Sequence, residues 1–433
     1  MTEDLAHLPK EPADRVTAPF LRFIRIEAMA GAVLLLCALI ALALANTAWS
    51  GRYLSFWEIQ VGLSAGDIEF ARSLKHWIND GLMTLFFFVI ALELKREMVL
   101  GELHSPRLAA FPLAGALGGM IVPAGLYLLL VGGGPAASGW GTVMSTDTAF
   151  VLGCLAVLGR RIPESLRLFL LALAIFDDIG AILVVASGYG HSLNWIPLVL
   201  AGLGIAIVAG IARLGIRSIA IYFVIGCGIW LALDASGIHA ALTGVILGLM
   251  TPARSWVSDN RLHAILNRVV AYPPGEHWSG DTAGRRDLRR ASVATREALS
   301  PIERLEIALH PWVAFAIMPI FALANAGVPI VPGAFDAVLA SAIFVGFVVG
   351  KPIGVVVFSS LAVKLRFAAR PDELRWGMLA AGSALTGIGF AMALFIADLA
   401  FGSDLLNSVK LGILAASIVS AAGGLFALVW LTT

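Results

Sequence analysis

The sequence predicts an all-α, polytopic membrane protein of about twelve transmembrane helices, with inverted repeats and two interrupted helices. Three observations predict it. The first is composition: of 433 residues, 59% are hydrophobic and 14% are charged, with mean hydropathy +0.89. A soluble domain carries charge on about a quarter of its residues, so most of this surface has lipid as its solvent. The second is run length. The third is the alternation of cationic and bare loops between the runs.

A spanning helix needs about 20 mostly apolar residues. Such runs fall near 26–47, 74–94, 108–131, 140–158, 164–188, 195–212, 217–234, 236–250, 309–328, 336–363, 374–400 and 409–431. Cationic residues gather in cytoplasmic loops. Arg15, Arg22 and Arg25 precede the first run. Lys95, Arg96 and Arg107 follow the second, Arg160, Arg161 and Arg167 the fourth, and Arg213 and Arg217 the sixth. The eighth loop holds Arg285, Arg286, Arg289 and Arg290, and the tenth Lys364, Arg366, Arg370 and Arg375. The loops between are nearly bare, apart from Arg52, Arg72 and Lys75 in the first. The alternation puts both termini in the cytoplasm. It divides the chain into a cytoplasmic segment 1–25, helices one to eight in 26–250, a cytoplasmic insertion 251–305 and helices nine to twelve in 306–433. Thr251–Ser300 is Arg-, Ser-, Gly- and Pro-rich with little periodicity, which predicts a mobile loop.

Several function classes drop out. A net charge of +1 gives no basic field for nucleic acid. Cys37, Cys154 and Cys227 lie in apolar runs without ligand spacing, so they read as small core residues rather than as a disulfide or zinc site. Met1–Val16 is polar and lacks the pattern of a cleavable signal.

Ionisable groups inside spans cost roughly 2.5–3.5 kcal/mol on insertion scales and mark function by default. The fifth span, LALAIFDDIGAILVVA, carries Asp177 and Asp178 at its middle. Neighbouring helix positions point about 100° apart, so the two carboxylates face different surroundings. Carboxylates this close in a low dielectric resist simultaneous ionisation. The fourth span, GTVMSTDTAFVLG, carries Ser145, Thr146, Asp147 and Thr148. Their side chains compete with the backbone for hydrogen bonds and predict an interrupted helix. The eleventh span, GSALTGIGFAMALFIADLAF, carries Gly382, Gly387 and Gly389 with Ser383 and Thr386, and predicts a second interruption. Lys351, followed by Pro352, lies mid-span in the tenth and needs a carboxylate partner. The broken spans four and eleven are the middle members of spans 3–5 and 10–12. The two groups start an odd number of spans apart, so the second is inverted. Interrupted segments at matching positions of two halves point to a transporter site.

The strings STDTAFVLG, LALAIFDDIGAI, LELKREMVLGEL, FPLAGALGGMIVP, GIHAALTGVILG, LHPWVAFAIMPIFALANAGV, GKPIGV and TGIGFAMALFIA resemble the bacterial NhaA-type sodium/proton antiporters over almost the whole chain. That family is itself a standard example of inverted repeats and broken helices. The resemblance implies an ion-binding pair Asp177 and Asp178, and a polar pair Thr146 and Asp147 at the break of span four. It makes Lys351 the partner of Asp177 and a balance for helix ends. It implies a cytoplasmic cluster linked to pH activation from Asp80, Glu93, Arg96, Glu97, Glu306 and His310, and makes His239 a pH-response residue at the opposite side. It further implies a multi-pass protein of the cell inner membrane, a homodimer contacting through the first external loop, electrogenic exchange of Na+ for H+ with Li+ as a further substrate, and no cofactor. The eighth loop is much longer than is usual in the family.

The expected chemistry is competition. Sodium is a hard cation that prefers oxygen ligands. Asp178, with Asp177, Thr146 oxygen and backbone carbonyls, can bind it, and the same carboxylates can take protons instead. A cation-coupled symporter, a passive channel and an intramembrane aspartyl protease are the competing readings. The site's few aromatics disfavour an organic solute. A lysine that holds one carboxylate ionised disfavours a proton-sharing protease dyad.

Overall fold

An unpaired backbone N–H or C=O in hydrocarbon costs several kcal/mol, so a lipid-embedded chain closes its hydrogen bonds within helices. The computed structural model follows that constraint. It describes residues 27–65, 68–99, 106–188, 193–216, 218–253, 255–270, 283–330 and 336–432. Among these, nine helices are long and apolar enough to cross a membrane, or up to eleven if each of two bent pairs counts as one span. The segment 1–25, Arg217, His191 and residues 271–282 of the insertion lie outside the described residues.

In chain order, α1 is Glu27–Ala45 and α2 Ser50–Trp57, bent 118° from each other. An antiparallel hairpin follows, β1 (Gln60–Ala65) against β2 (Ile68–Ser73). It is the one strand pair in an otherwise helical fold among the described residues. Then come α3 (Leu74–Val99), α4 (Pro106–Val131), a 3-10 segment Pro135–Met144, α5 (Thr148–Leu158) and α6 (Glu164–Gly188). Next are α7 (Trp195–Arg213), α8 (Ile219–Ser236), α9 (Leu242–Met250), α10 (Asp259–Val270) and α11 (Ala283–Ala298). The chain ends with α12 (Pro301–Asn325), α13 (Ala337–Lys364), α14 (Trp376–Leu385), α15 (Phe390–Ala400) and α16 (Ser403–Thr432). The α14–α15 pair is bent 52°.

The chain divides into two compact units. Unit 1 takes residues up to Leu82, Arg107–Tyr189 and Pro311–Thr433. Here α4 crosses α13 at bare backbone: a Cβ on Gly354 would lie 2.1 Å from the Gly118 carbonyl oxygen. Only glycine permits that approach. Three residues earlier on α13 is Lys351, so this crossing sets the depth of its ammonium. A π-helical turn, Gly346–Gly350, runs directly into Lys351. Pro352 contributes no N–H, which breaks the regular hydrogen-bond ladder there.

Unit 2 takes Met83–Pro106 and Gly190–His310. Ala201, Val208, Ile229 and Leu233 pack α7 on α8. The described parts of the insertion include two helices, α10 and α11. Leu262, Ile265, Leu266 and Val269 repeat at helical spacing along α10, and Ala291 and Ala294 are buried on α11, where the two helices pack together. A short apolar stripe suffices for a helical hairpin even when the flanking residues are polar. Ser300 and Glu303 then cap the start of α12: Glu303 N–H donates to Ser300 Oγ at 3.3 Å and Ser300 N–H to Glu303 Oε2 at 2.9 Å. Cys37 and Cys154 are half-buried, whereas Cys227 is exposed on α8 and is no core residue of this chain.

Candidate functional site

The fourth run breaks where its hydroxyls and carboxylate were expected to compete with the backbone. The 3-10 segment ends at Met144, and Ser145 (ψ 151°) and Asp147 (ψ 99°) are extended before α5 begins. The eleventh run breaks between Leu385 and Phe390. The two breaks touch: Asp147 N–H donates to the Ile388 carbonyl at 2.6 Å.

Asp147 closes two helix ends at once. Its Oδ1 accepts from Phe150 N–H at 3.2 Å, capping α5, and its Oδ2 accepts from Ala391 N–H at 3.0 Å, at the start of α15. Each helix start carries about half a positive charge from unpaired N–H groups. One carboxylate therefore answers two of them.

Beside it, Asp177 and Asp178 descend from α6, 1% and 2% exposed, and Lys351 from α13 is 0% exposed. Lys351 Nζ donates to Asp177 Oδ2 at 2.8 Å and also to Thr146 Oγ1. The Thr146 hydroxyl proton has two acceptors in reach, Asp177 Oδ2 at 2.6 Å and the Thr386 carbonyl at 3.1 Å. Thr146 thus links the lysine–aspartate pair to the end of α14. The adjacent carboxylates have different hydrogen-bond partners. Asp178 Oδ2 accepts from Thr148 Oγ1 at 3.4 Å rather than from Thr146. Asp177 Oδ1 is buried and accepts no hydrogen bond from a described residue. The sequence assigns Lys351 to balancing helix ends as well. Its hydrogen bonds go to a side-chain carboxylate and a hydroxyl, a full opposite charge being the stronger partner for a buried ammonium.

Chemically, the cluster offers carboxylate, hydroxyl and carbonyl oxygens to a hard cation or to protons. One carboxylate is already neutralised by a lysine. Among the described residues the cluster brings together no His/Cys constellation for a transition metal.

The remaining sequence candidates divide. In unit 2, Arg96 Nη1 pairs with Glu306 Oε1 at 2.6 Å and Arg96 Nη2 with Glu97 Oε1 at 2.9 Å. Glu93 and His310 lie within electrostatic range of Glu306. Asp80 belongs to unit 1, where it pairs with His76 at 3.0 Å. His239 sits in the turn before α9, where its Nδ1 accepts from Ala241 N–H at 3.3 Å.

The sequence reading passed over a second buried polar cluster in unit 1. Asp398 on α15 receives Lys410 of α16 at 3.0 Å and Lys75 of α3 at 3.4 Å. Asn79 Nδ2 donates to Asp398 Oδ2 at 3.2 Å and to Asn325 Oδ1 at 3.3 Å, and Asn325 Nδ2 returns a bond to Asn79 Oδ1 at 2.7 Å. Lys410 Nζ also donates to the Asn325 carbonyl at 3.2 Å. The available signal was an acid near the end of one apolar run and a lysine near the start of the next.

The family model described as Na+/H+ antiporter 1 matches residues 21–428. A Rhizobium meliloti protein named Na(+)/H(+) antiporter NhaA is 71% identical over 433 residues, covering 100% of this chain and 99% of the relative. An Acidiphilium cryptum protein named Na(+)/H(+) antiporter NhaA 2 is 57% identical over 96% of this chain and 93% of its own length. A Vibrio vulnificus protein named Na(+)/H(+) antiporter NhaA 2 is 52% identical over 98% and 95%.

Proposed function

The chain belongs to the Na+/H+ antiporter 1 family, and from that premise we propose that it exchanges Na+ for H+ across the bacterial inner membrane at one shared aspartate site. It is a transporter and not an enzyme. The observation that carries the reading is the buried group of Asp177, Asp178, Thr146 and Lys351 at two broken helices.

Lys351 and Asp177 form an internally neutral pair, so the charge state of the site turns on Asp178. An ionised Asp178 attracts a sodium ion, which completes its shell with Thr146 oxygen, Asp177 Oδ1 and backbone carbonyls of the breaks. A protonated Asp178 cannot hold the ion. Either load leaves the site close to neutral. A bare negative charge is costly to carry through a low dielectric, so the empty site does not cross. That asymmetry couples the two fluxes. Li+, a smaller hard cation, is a substrate by the same oxygens.

Alternating access moves the loaded site between the two faces. Asp147 keeps the broken helix ends of α5 and α15 together during the movement, as a fixed charge and not as a cation ligand. Proton loss is required before sodium binds, so transport rises with pH. The Arg96, Glu97, Glu93, Glu306 and His310 group is the proposed cytoplasmic pH-response element, with His239 at the other side. The cationic loops support cytoplasmic termini and a cytoplasmic 251–305 insertion, and spans 3–5 and 10–12 form the inverted repeats. The β1–β2 ribbon lies in the first external loop. Its outer edges offer backbone groups for pairing with a second copy, which supports a homodimer.

The test is simultaneous measurement of Na+ and H+ flux in proteoliposomes from acid to alkaline pH. Opposed fluxes that rise with pH, and are lost in Asp178→Asn with membrane insertion intact, are expected. Parallel fluxes, a flat pH profile or normal exchange by the variant would contradict the shared site.

A further inference from the structure

We propose that Asp398 is the outer latch of the exchange cycle, a positioning residue that holds the external end of α15 closed against α3, α12 and α16. The latch deepens the alternating-access reading above and rests on it.

The geometry is one carboxylate contacted from two helices and braced through a third. Lys75 and Asn79 reach it from α3 and Lys410 from α16, while Asn325 of α12 is joined to both Asn79 and Lys410. Lys410 is 5% exposed, so the ammonium has no bulk water to fall back on. Charges at membrane depth are retained for a task rather than for stability. The exchange site does not use them: Asp398 lies seven positions beyond Ala391, about 10 Å further along α15 than the backbone that Asp147 caps. All the residues between, Phe390 to Ala397, are buried. Phe395 also meets Phe321 of α12 edge-on at 6.4 Å. Helix α15 is thus held at its inner end by Asp147 and at its outer end by Asp398, with a dry seal between them.

For the site to reach the outside, α3 and α12 must part from α15 and α16 at this end. An ion-pair cluster suits that task better than more apolar packing. The desolvation cost of a buried pair roughly offsets its attraction, so the pair specifies one closed geometry yet separates readily once water enters. Lys75, half-buried at the rim, is the first contact that water can replace.

Two measurements test the latch, both in a background with Cys37, Cys154 and Cys227 replaced by alanine, and with exchange by the unaltered protein measured alongside. In the first, Lys75→Cys and Asp398→Cys are bridged by a short bis-methanethiosulfonate. Bridging is expected to lower exchange at least about tenfold, and reductant to restore it. In the second, Lys75→Gln leaves the Asp398–Lys410 pair in place, so the protein folds even if the cysteine pair does not. An Ala393→Cys probe is then labelled from outside by an impermeant maleimide. Labelling about fivefold faster than without Lys75→Gln is expected, the shift produced by removing an interaction of about 1 kcal/mol. A bridged protein that exchanges at the unbridged rate, or labelling unchanged by Lys75→Gln, overturns the latch. Absence of exchange in the unaltered protein would instead fault the functional reading.

Discussion

Asp147 should be the most structurally expensive acid in the site to remove, and two substitutions measure why. Its two oxygens serve different helices, Oδ1 accepting from Phe150 N–H and Oδ2 from Ala391 N–H. A helix cap is worth about 1 kcal/mol when replaced by alanine. The attraction of a carboxylate to a helix start adds about 0.3–1 kcal/mol at each end. Asp147→Ala loses both terms at both helices and should destabilise the protein by about 2.5–4 kcal/mol. Asp147→Asn keeps one acceptor oxygen but presents an amide NH2 to the other helix, so it keeps one cap. It should cost about 1 kcal/mol less than alanine. The assay is equilibrium unfolding in mixed micelles titrated with dodecyl sulfate, followed by tryptophan fluorescence. Equal losses for the two variants, or an alanine loss below about 1 kcal/mol, would refute the two-helix cap.

Two further outcomes follow from packing and charge. Lys351→Met leaves Asp177 buried without a counter-charge and should cost about 3–5 kcal/mol, with most of it recovered in the double variant with Asp177→Asn; the same unfolding titration reads it, and no recovery would mean that the pair is not the cause. Gly354→Ala drives a Cβ to 2.1 Å from the Gly118 carbonyl oxygen and should cost about 1–3 kcal/mol. Gly125→Ala on α4 meets nothing within 4 Å and should be neutral or stabilising by up to about 1 kcal/mol; similar thermal midpoints for the two alanine variants would contradict the close crossing.

Much of this protein was legible without coordinates because lipid imposes its constraints locally. Run lengths gave most of the helices, since a backbone in hydrocarbon has few other ways to pair its polar groups; the run 236–250 holds only the short helix Leu242–Met250. STDT and the glycines of TGIG marked both breaks, since those residues favour non-helical backbone over short range. Asp177, Asp178 and Lys351 stood out as charges among apolar neighbours. Partnership was not legible in the residues themselves, and only the family resemblance paired Lys351 with Asp177. That Lys351 meets Thr146 as well as Asp177, and that Asp147 caps a helix 244 positions away, follow from where distant segments pack. The helices α10 and α11 of the insertion were missed because their apolar stripe is short and broken by arginines. What the amino-acid sequence alone determined, then, is which segments enter the membrane, where they break and which charges they carry inward. Only the tertiary structure decided which charges neutralise one another, and it alone exposed the Asp398 cluster. An ion pair depends on distances of a few ångströms between helices whose mutual placement is a property of the whole packed chain.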